Sequence, residues 1–241
     1  MTTYVLVPGF WLGAWAWRGV TERLRAGGHE VHPLTLTGLA DRAHLLSSGL
    51  TVDTHIADIT GLLAYEDLRD VVLVGHSGAA AAVTGAADRA AGRVARVVYV
   101  DSGPVPDGMA QADLSGRERI EKHAVDGLGY PFPTWDELEE SGASLAGLGE
   151  ADRALMAKRA TDQPLGPITT PLRLSGAVET LPKTLVSCSY PLDQVRALIA
   201  QGHPFFAALG GPEWDLRELP TGHWPMLSRS ADLGALLSMI V

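Results

Sequence analysis

Short apolar runs alternate along the chain with longer segments in which apolar residues recur at helical spacing. Such an alternation is typical of a parallel sheet covered by helices on both faces. The sequence therefore predicts an α/β fold with a mostly parallel sheet of about six strands. The predicted strands span residues 4–7, 31–36, 71–74, 94–100, 184–188 and 214–219, and the predicted helices span residues 15–26, 52–65, 79–91, 192–201 and 231–239.

One long segment, residues 104–181, breaks this alternation. It is rich in proline and glycine, as in residues 129–133, and contains helix-like patches such as residues 150–160 but no comparable strand. Because a structureless connection of this length is unusual in a compact domain, we interpret it as an inserted helical lid. The apolar Phe132 and Trp135 argue against a disordered linker. The predicted core then comprises residues 1–103 and 182–241.

Composition and charge narrow the classes of function. The chain has 241 residues, and a net charge of -9 provides no broad basic surface for nucleic acid or an anionic membrane. A single cysteine, Cys188, rules out an intrachain disulfide and a cysteine-based zinc site. We expect a cytoplasmic protein without a metal or cofactor, because neither a signal-peptide pattern nor a metal-ligand or nucleotide-binding motif is visible. A homodimer is left open.

A serine lies between glycines where a predicted strand meets a predicted helix. Residues 75–79 read Gly-His-Ser-Gly-Ala and match the pattern G-x-S-x-G except for Ala79. The pattern places a nucleophile on a sharp turn, and the preceding valines and following alanines supply the strand and helix that it requires. We predict that Ser77 is the nucleophile; the competing interpretation is a serine that caps the helix.

A serine nucleophile needs a base and donors for an oxyanion. His223 lies in a loop between the last predicted strand and the C-terminal helix. Parallel strands bring their carboxyl ends to one edge of the sheet, so this loop can approach Ser77. We expect His76 to point away and to be structural. The predicted oxyanion donors are the backbone N–H groups of Gly78 and Phe10.

These motifs resemble the α/β-hydrolase superfamily, in particular its small lidded branch with plant methyl esterases and hydroxynitrile lyases. The resemblance covers nearly the whole chain outside residues 104–181 and implies that Ser77 is the nucleophile and His223 the base. Trp224 stands where the lyases have lysine, so the resemblance favours hydrolysis over cyanohydrin cleavage. Pro8 stands where the family usually has histidine, which changes the support of the loop but leaves the predicted oxyanion donor, the Phe10 N–H, in place. The resemblance rests on residues 5–9, 13–17, 75–78 and 222–223.

The acid that orients the histidine has two candidate positions. The family normally places it after the strand that follows the lid, but residues 184–190 contain no carboxylate, and Asp193 comes a few residues later. Asp101 directly follows the predicted strand 94–100, a second place known in the superfamily. We favour Asp101, because a carboxylate at a strand tip is held more rigidly than one on a loop.

The residues together indicate a serine hydrolase that acts on a small ester or lactone. We expect Trp11, Trp135 and Trp224 to line an apolar substrate pocket, although each could equally belong to the core. One alternative is a lyase or cyclase in which Ser77 only relays a proton. Another is a small-molecule receptor that has lost turnover.

Overall fold

The computed structural model describes residues 1–203 and 205–240, and its centre is a six-stranded sheet in which every paired strand is parallel. The strands of this sheet are β1 (Thr3–Val7), β2 (Glu30–Pro33), β3 (Val71–His76), β4 (Val94–Val100), β7 (Lys183–Ser187) and β8 (Trp214–Glu218). The strand order is β2-β1-β3-β4-β7-β8. The α/β-hydrolase fold predicted from the sequence is confirmed.

Strand β2 ends earlier than residue 36, the predicted limit. It lies at the edge of the sheet, and its only partner is β1. Strand β1 ends at Val7 and is followed by Pro8, which has no N–H to continue the pairing. Beyond Val7, β1 no longer offers backbone hydrogen bonds to β2, and β2 therefore ends early.

Helices cover both faces of the sheet and separate its core into two layers. On β1, Tyr4 and Leu6 belong to one hydrophobic cluster, whereas Val5 and Val7 belong to the other, as strand alternation requires. The helices are α1 (Arg18–Ala26), α2 (Val52–Tyr65), α3 (Ala80–Arg89), α4 (Gln111–Ser115), α5 (Arg117–His123), α6 (Trp135–Glu140), α7 (Glu150–Arg159), α8 (Leu165–Thr169), α9 (Leu192–Ala200), α10 (Pro225–Ser228) and α11 (Ser230–Ser238). The alanine-rich helix α3 contributes small side chains that bring it close to β3.

Residues 104–181, the inserted segment, form a packed unit between β4 and β7. The segment contains helices α4 to α8 and a small antiparallel sheet of β5 (Gly129–Tyr130) and β6 (Gln163–Pro164). Ile120 and Met156 from this segment are fully buried in the same cluster as Tyr4. Its separation into a lid domain stays a prediction.

Two further features concern membrane spans and metal ligands. Of the helices in the described residues, none has the length and apolar character needed to cross a membrane. Within residues 1–203 and 205–240 there is also no group of three or more histidine, cysteine or acidic side chains that could hold a metal ion.

Candidate active site

Ser77 begins a tight turn between β3 and α3. The turn spans Ser77–Ala79, and the φ angle of Ser77 is 48°, in the left-handed region that non-glycine residues rarely adopt. The Ser102 hydroxyl donates to the Ser77 carbonyl oxygen at 2.9 Å. The strained turn places the half-buried Ser77 at the carboxyl edge of the central strand.

Three side chains form a continuous row of hydrogen bonds at this edge. The Ser77 hydroxyl lies 2.7 Å from His223 Nε2, and His223 Nδ1 lies 2.6 Å from Asp101 Oδ2. A carboxylate only accepts hydrogen bonds, so His223 Nδ1 carries the proton and donates a hydrogen bond to Asp101. Nε2 then has a free lone pair that accepts from the Ser77 hydroxyl. This is the arrangement in which a histidine can remove a serine proton.

Asp101 is held by the loop that follows β7. The backbone N–H groups of Cys188 and Ser189 donate to Oδ1 at 2.9 and 2.8 Å, and the Ser189 hydroxyl donates to Oδ2 at 2.6 Å. Burial alone would raise the pKa of Asp101, but the hydrogen bonds from His223 and Ser189 and the charge of His223 hold it well below its usual value. The carboxylate is therefore ionised.

Asp193, the alternative acid, lies elsewhere. It is exposed in the first turn of α9, and its carboxylate accepts from the N–H of Gln194 at 2.8 Å. Among the described residues it makes no hydrogen bond to His223, whose Nδ1 is already paired with Asp101. The structure thus brings Asp101, and not Asp193, to the histidine.

His76 hydrogen-bonds to the backbone of the loop that carries His223. Its Nε2–H donates to the carbonyl oxygen of His223 at 2.6 Å, and the two rings are 4.9 Å apart between centroids. Burial, and to a smaller extent the charge of His223, lower the pKa of His76 from 6.5 to about 3. His76 is therefore a neutral donor. The side chain expected to point away instead supports the loop that carries His223.

We expect the protein to lose stability as the pH falls below 6.5, the ordinary pKa of histidine. Below pH 6.5, His76 takes up a proton in the unfolded chain, whereas in the folded protein it stays neutral down to about pH 3. The contribution of neutral His76 to the free energy of unfolding is therefore complete above pH 6.5 and decreases as the pH falls. At pH 5 this amounts to about 2 kcal/mol. Burial likewise lowers the pKa of His55. Urea unfolding at pH 7 and pH 5 measures the effect.

The matched variants for this measurement are His76→Gln and His44→Gln. A glutamine at position 76 keeps an N–H donor and cannot titrate, so its stability should change less with pH. His44 is exposed, and its replacement should leave the pH dependence unchanged. If His76→Gln followed the same pH dependence as the unmodified protein, the attribution to His76 would be wrong.

Phe10 and Gly78, the predicted oxyanion donors, are in direct contact. The Phe10 N–H has no hydrogen-bond partner among the described residues. Its ring packs on the Gly78 backbone so closely that a Cβ at position 78 would lie 2.1 Å from Phe10 Cδ1. Any side chain at position 78, directly after the serine, would therefore force the Phe10 ring or the turn to move. This contact joins the loop after β1 to the start of the turn that leads into α3.

The three tryptophans predicted to bind substrate differ in exposure. Trp224 is 2% exposed and packs edge-on against the His223 ring, and Trp11 is 6% exposed. Their burial favours a packing role, and substrate binding by these two stays a prediction. Trp135 is half-buried and lines a shallow cavity of about 460 Å³ with Leu148 and Arg153. Substrate binding by Trp135 stays a prediction.

Two residues that hydrogen-bond to the site are not predicted by any sequence pattern. Ser189 donates to Asp101, and Ser102 donates to the Ser77 carbonyl. An isolated serine in a loop has no distinctive pattern. Their positions beside Ser77 and Asp101 arise from the adjacency of β3, β4 and β7.

Comparison with known proteins identifies the family of the chain. Ser77, Asp101 and His223 follow one another in the chain order that is typical of the α/β-hydrolase fold. The model of the alpha/beta hydrolase family matches residues 4–236, and the chain belongs to this family. A carbendazim hydrolyzing esterase from Nocardioides sp. (strain SG-4G) is 30% identical over 263 residues, with 100% of each chain covered. The protein is accordingly an esterase-like enzyme.

Solved structures of known proteins share the fold. An extracellular α/β-hydrolase from a Paenibacillus species, described as a structural and functional homologue of tobacco Salicylic Acid Binding Protein 2, has a TM-score of 0.79 and 21% identity, covering 99% of this chain and 98% of that one. A methylesterase from Arabidopsis has a TM-score of 0.72 and 20% identity, with the same coverage. The shared fold therefore extends over 99% of the chain and includes the inserted segment.

Proposed function

We propose that the protein is a serine hydrolase that cleaves a small-molecule ester or lactone through an acyl-enzyme on Ser77. The observation that carries the proposal is the unbroken row from the Ser77 hydroxyl through His223 to the Asp101 carboxylate, with distances of 2.7 and 2.6 Å. Support also comes from the relative named for hydrolysis of carbendazim, a small molecule.

In the acylation step, the Ser77 oxygen attacks the substrate carbonyl carbon while His223 Nε2 takes the hydroxyl proton. The negative oxygen that forms accepts hydrogen bonds from the N–H groups of Phe10 and Gly78. His223 then gives the proton to the leaving alkoxide oxygen as the carbon–oxygen bond breaks. The alcohol departs, or stays tethered when the substrate is a lactone, and the acyl group remains on Ser77.

In the deacylation step, water replaces the alcohol. His223 takes a proton from water, whose oxygen attacks the acyl carbon, and returns that proton to the Ser77 oxygen as the acid is released. Asp101 keeps the imidazole in the tautomer with a free Nε2 and stabilises it when protonated. Each turnover therefore consumes one water and restores the enzyme.

The proposal also includes expectations about the surroundings of the enzyme. A small molecule is its partner, it works in the cytoplasm without nucleic acid, membrane or cofactor, and residues 104–181 act as a lid. The net charge of -9 supports the part concerning nucleic acid and anionic membranes. A homodimer is compatible with the proposal.

Reaction with a fluorophosphonate and turnover of p-nitrophenyl acetate test the proposed function. We expect the protein to hydrolyse the ester and to gain one phosphonyl group, and we expect the Ser77→Ala variant to do neither. The matched control is Ser189→Ala, which removes a nearby hydroxyl but should retain the phosphonylation site. Failure of both reactions in the unmodified protein would contradict hydrolysis and favour a lyase, a cyclase or a receptor.

A further inference from the structure

We propose that the inserted segment holds the loop of residues 8–12, here called the oxyanion loop, in its working conformation, with Gln163 as the positioning residue. The inference rests on the proposed function, because it concerns the donor that Phe10 offers to the oxyanion. It assigns to residues 104–181 a part in building the active site in addition to covering it.

Trp11 connects the oxyanion loop to the inserted segment through all of its polar groups. Its backbone N–H donates to Gln163 Oε1 at 3.2 Å, and its carbonyl oxygen accepts from the Thr161 N–H at 3.1 Å. Its indole N–H donates to the Tyr130 carbonyl oxygen at 3.0 Å. Residues 130 and 163 pair across β5 and β6, so this small sheet presents both partners together. Trp11 is thus held at three points.

The backbone of Trp11 needs such support. Its φ angle is 65°, in the left-handed region, where a bulky side chain is a rare outlier. A conformation of this kind persists only when surrounding contacts enforce it. Gln163 is 2% exposed, so its oxygen has little access to water, and the Trp11 N–H partners it inside the protein. Loss of this acceptor would leave the Trp11 N–H buried without a partner.

The orientation of Trp11 bears directly on Phe10. The Trp11 N–H and the Phe10 carbonyl belong to one peptide plane, so the bond to Gln163 fixes the chain beside the Phe10 N–H. The Phe10 and Trp11 rings meet edge-to-face at 5.6 Å, and the Phe10 ring packs on Gly78. A shift of Trp11 would therefore move one oxyanion donor relative to the other.

The inserted segment also holds the loop that carries His223. The Gly222 N–H donates to the Ala146 carbonyl oxygen at 2.9 Å, and the His223 N–H donates to the Ser144 carbonyl oxygen at 2.8 Å. The contact is close enough that a Cβ on Gly222 would lie 2.4 Å from the Ala146 oxygen. The same segment thus braces the loops on both sides of Ser77, which fits a role in assembly.

The variant Gln163→Met tests the proposal, since methionine has a similar length but no strong acceptor. We expect kcat for p-nitrophenyl acetate to fall about 10- to 100-fold, because a displacement near 1 Å costs up to about 100-fold. Binding of a trifluoromethyl ketone, which forms an oxyanion on Ser77, should weaken by the same factor, while KM should stay within about twofold.

Gln111→Met is the matched control. Gln111 is a buried amide of the same segment. Its Oε1 accepts from the Ala81 N–H in α3 at 3.0 Å and its amide N–H donates to the Ser115 hydroxyl at 3.1 Å, so these hydrogen bonds do not involve the oxyanion loop. We expect the Gln111→Met variant to have a lower melting temperature, as Gln163→Met does, but an unchanged affinity for the trifluoromethyl ketone. Equal losses of this affinity in both variants would overturn the proposal, since the effect would then be general loosening of the segment.

A crystal structure of Gln163→Met separates this inference from the proposed function. We expect Trp11 to leave the left-handed region and the Phe10 N–H to change direction. If Trp11 kept its conformation, or if kcat and ketone affinity were unchanged, Gln163 would not be a positioning residue. Absence of ester turnover in the unmodified protein would contradict the hydrolase proposal, and the Trp11 conformation in the crystal would still decide the structural part.

Discussion

Asp101→Asn should lower kcat for p-nitrophenyl acetate about 10⁴-fold while the protein stays folded. In the unmodified protein, His223 Nδ1 donates a hydrogen bond to Asp101 at 2.6 Å. In the variant, the asparagine can turn its amide N–H toward Nδ1, which then accepts a hydrogen bond. The imidazole proton then moves to Nε2, and the ring cannot take the proton of Ser77. The remaining asparagine oxygen can still accept from Ser189 or Cys188, so the loop after β7 keeps part of its support.

The matched control for this prediction is Asp193→Asn. Asp193 is exposed on α9, and among the described residues its carboxylate accepts a hydrogen bond only from the N–H of its neighbour Gln194. Its replacement should leave kcat and KM unchanged. A deep loss with Asp193→Asn and a mild one with Asp101→Asn would reverse the assignment of the acid.

Gly78→Ala should lower kcat about 100-fold, the second largest expected effect. The added Cβ would lie 2.1 Å from Phe10 Cδ1, so the ring, the turn or both must move. Both predicted oxyanion donors belong to these two residues, and displacement of one donor costs about as much as its removal. The loss should appear in kcat and in trifluoromethyl ketone affinity, with little change in KM.

A second substitution makes this prediction specific. Phe10→Ala in the Gly78→Ala background removes the ring that clashes while it keeps the position 10 N–H, so kcat should recover by about tenfold or more. The control Gly92→Ala adds a Cβ with no described atom within 4 Å and should leave kcat unchanged. If Gly78→Ala alone retained full activity, the close contact would not set the donor geometry.

The positions of Ser77 and His223 could be predicted from local sequence patterns and from the geometry of parallel sheets. Ser77 and its turn follow from a valine-rich strand, a short motif and an alanine-rich helix that adjoin in sequence. The position of His223 follows from the shared carboxyl edge of parallel strands. The choice between Asp101 and Asp193 could not be made with the same force, because it depends on how the loop after β7 folds against β4.

Residues 104–181 were the least predictable part. Helices such as α4 and α8 have five residues each, too few for a helical period to emerge clearly. Strands β5 and β6 have two residues each, so no alternation is visible. Gln163 and Ser189 carry no motif, and their partners lie 152 and 88 residues away in sequence. Contacts of this kind are fixed by tertiary packing.

Rapid-quench mass spectrometry during turnover of a slowly hydrolysed p-nitrophenyl ester tests the central claim most directly. The account predicts a transient acyl mass on the proteolytic peptide that contains Ser77, formed with the burst of p-nitrophenol and absent from Ser77→Ala. Steady ester turnover with no acyl group on that peptide at any quench time, or with turnover retained in Ser77→Ala, would contradict it.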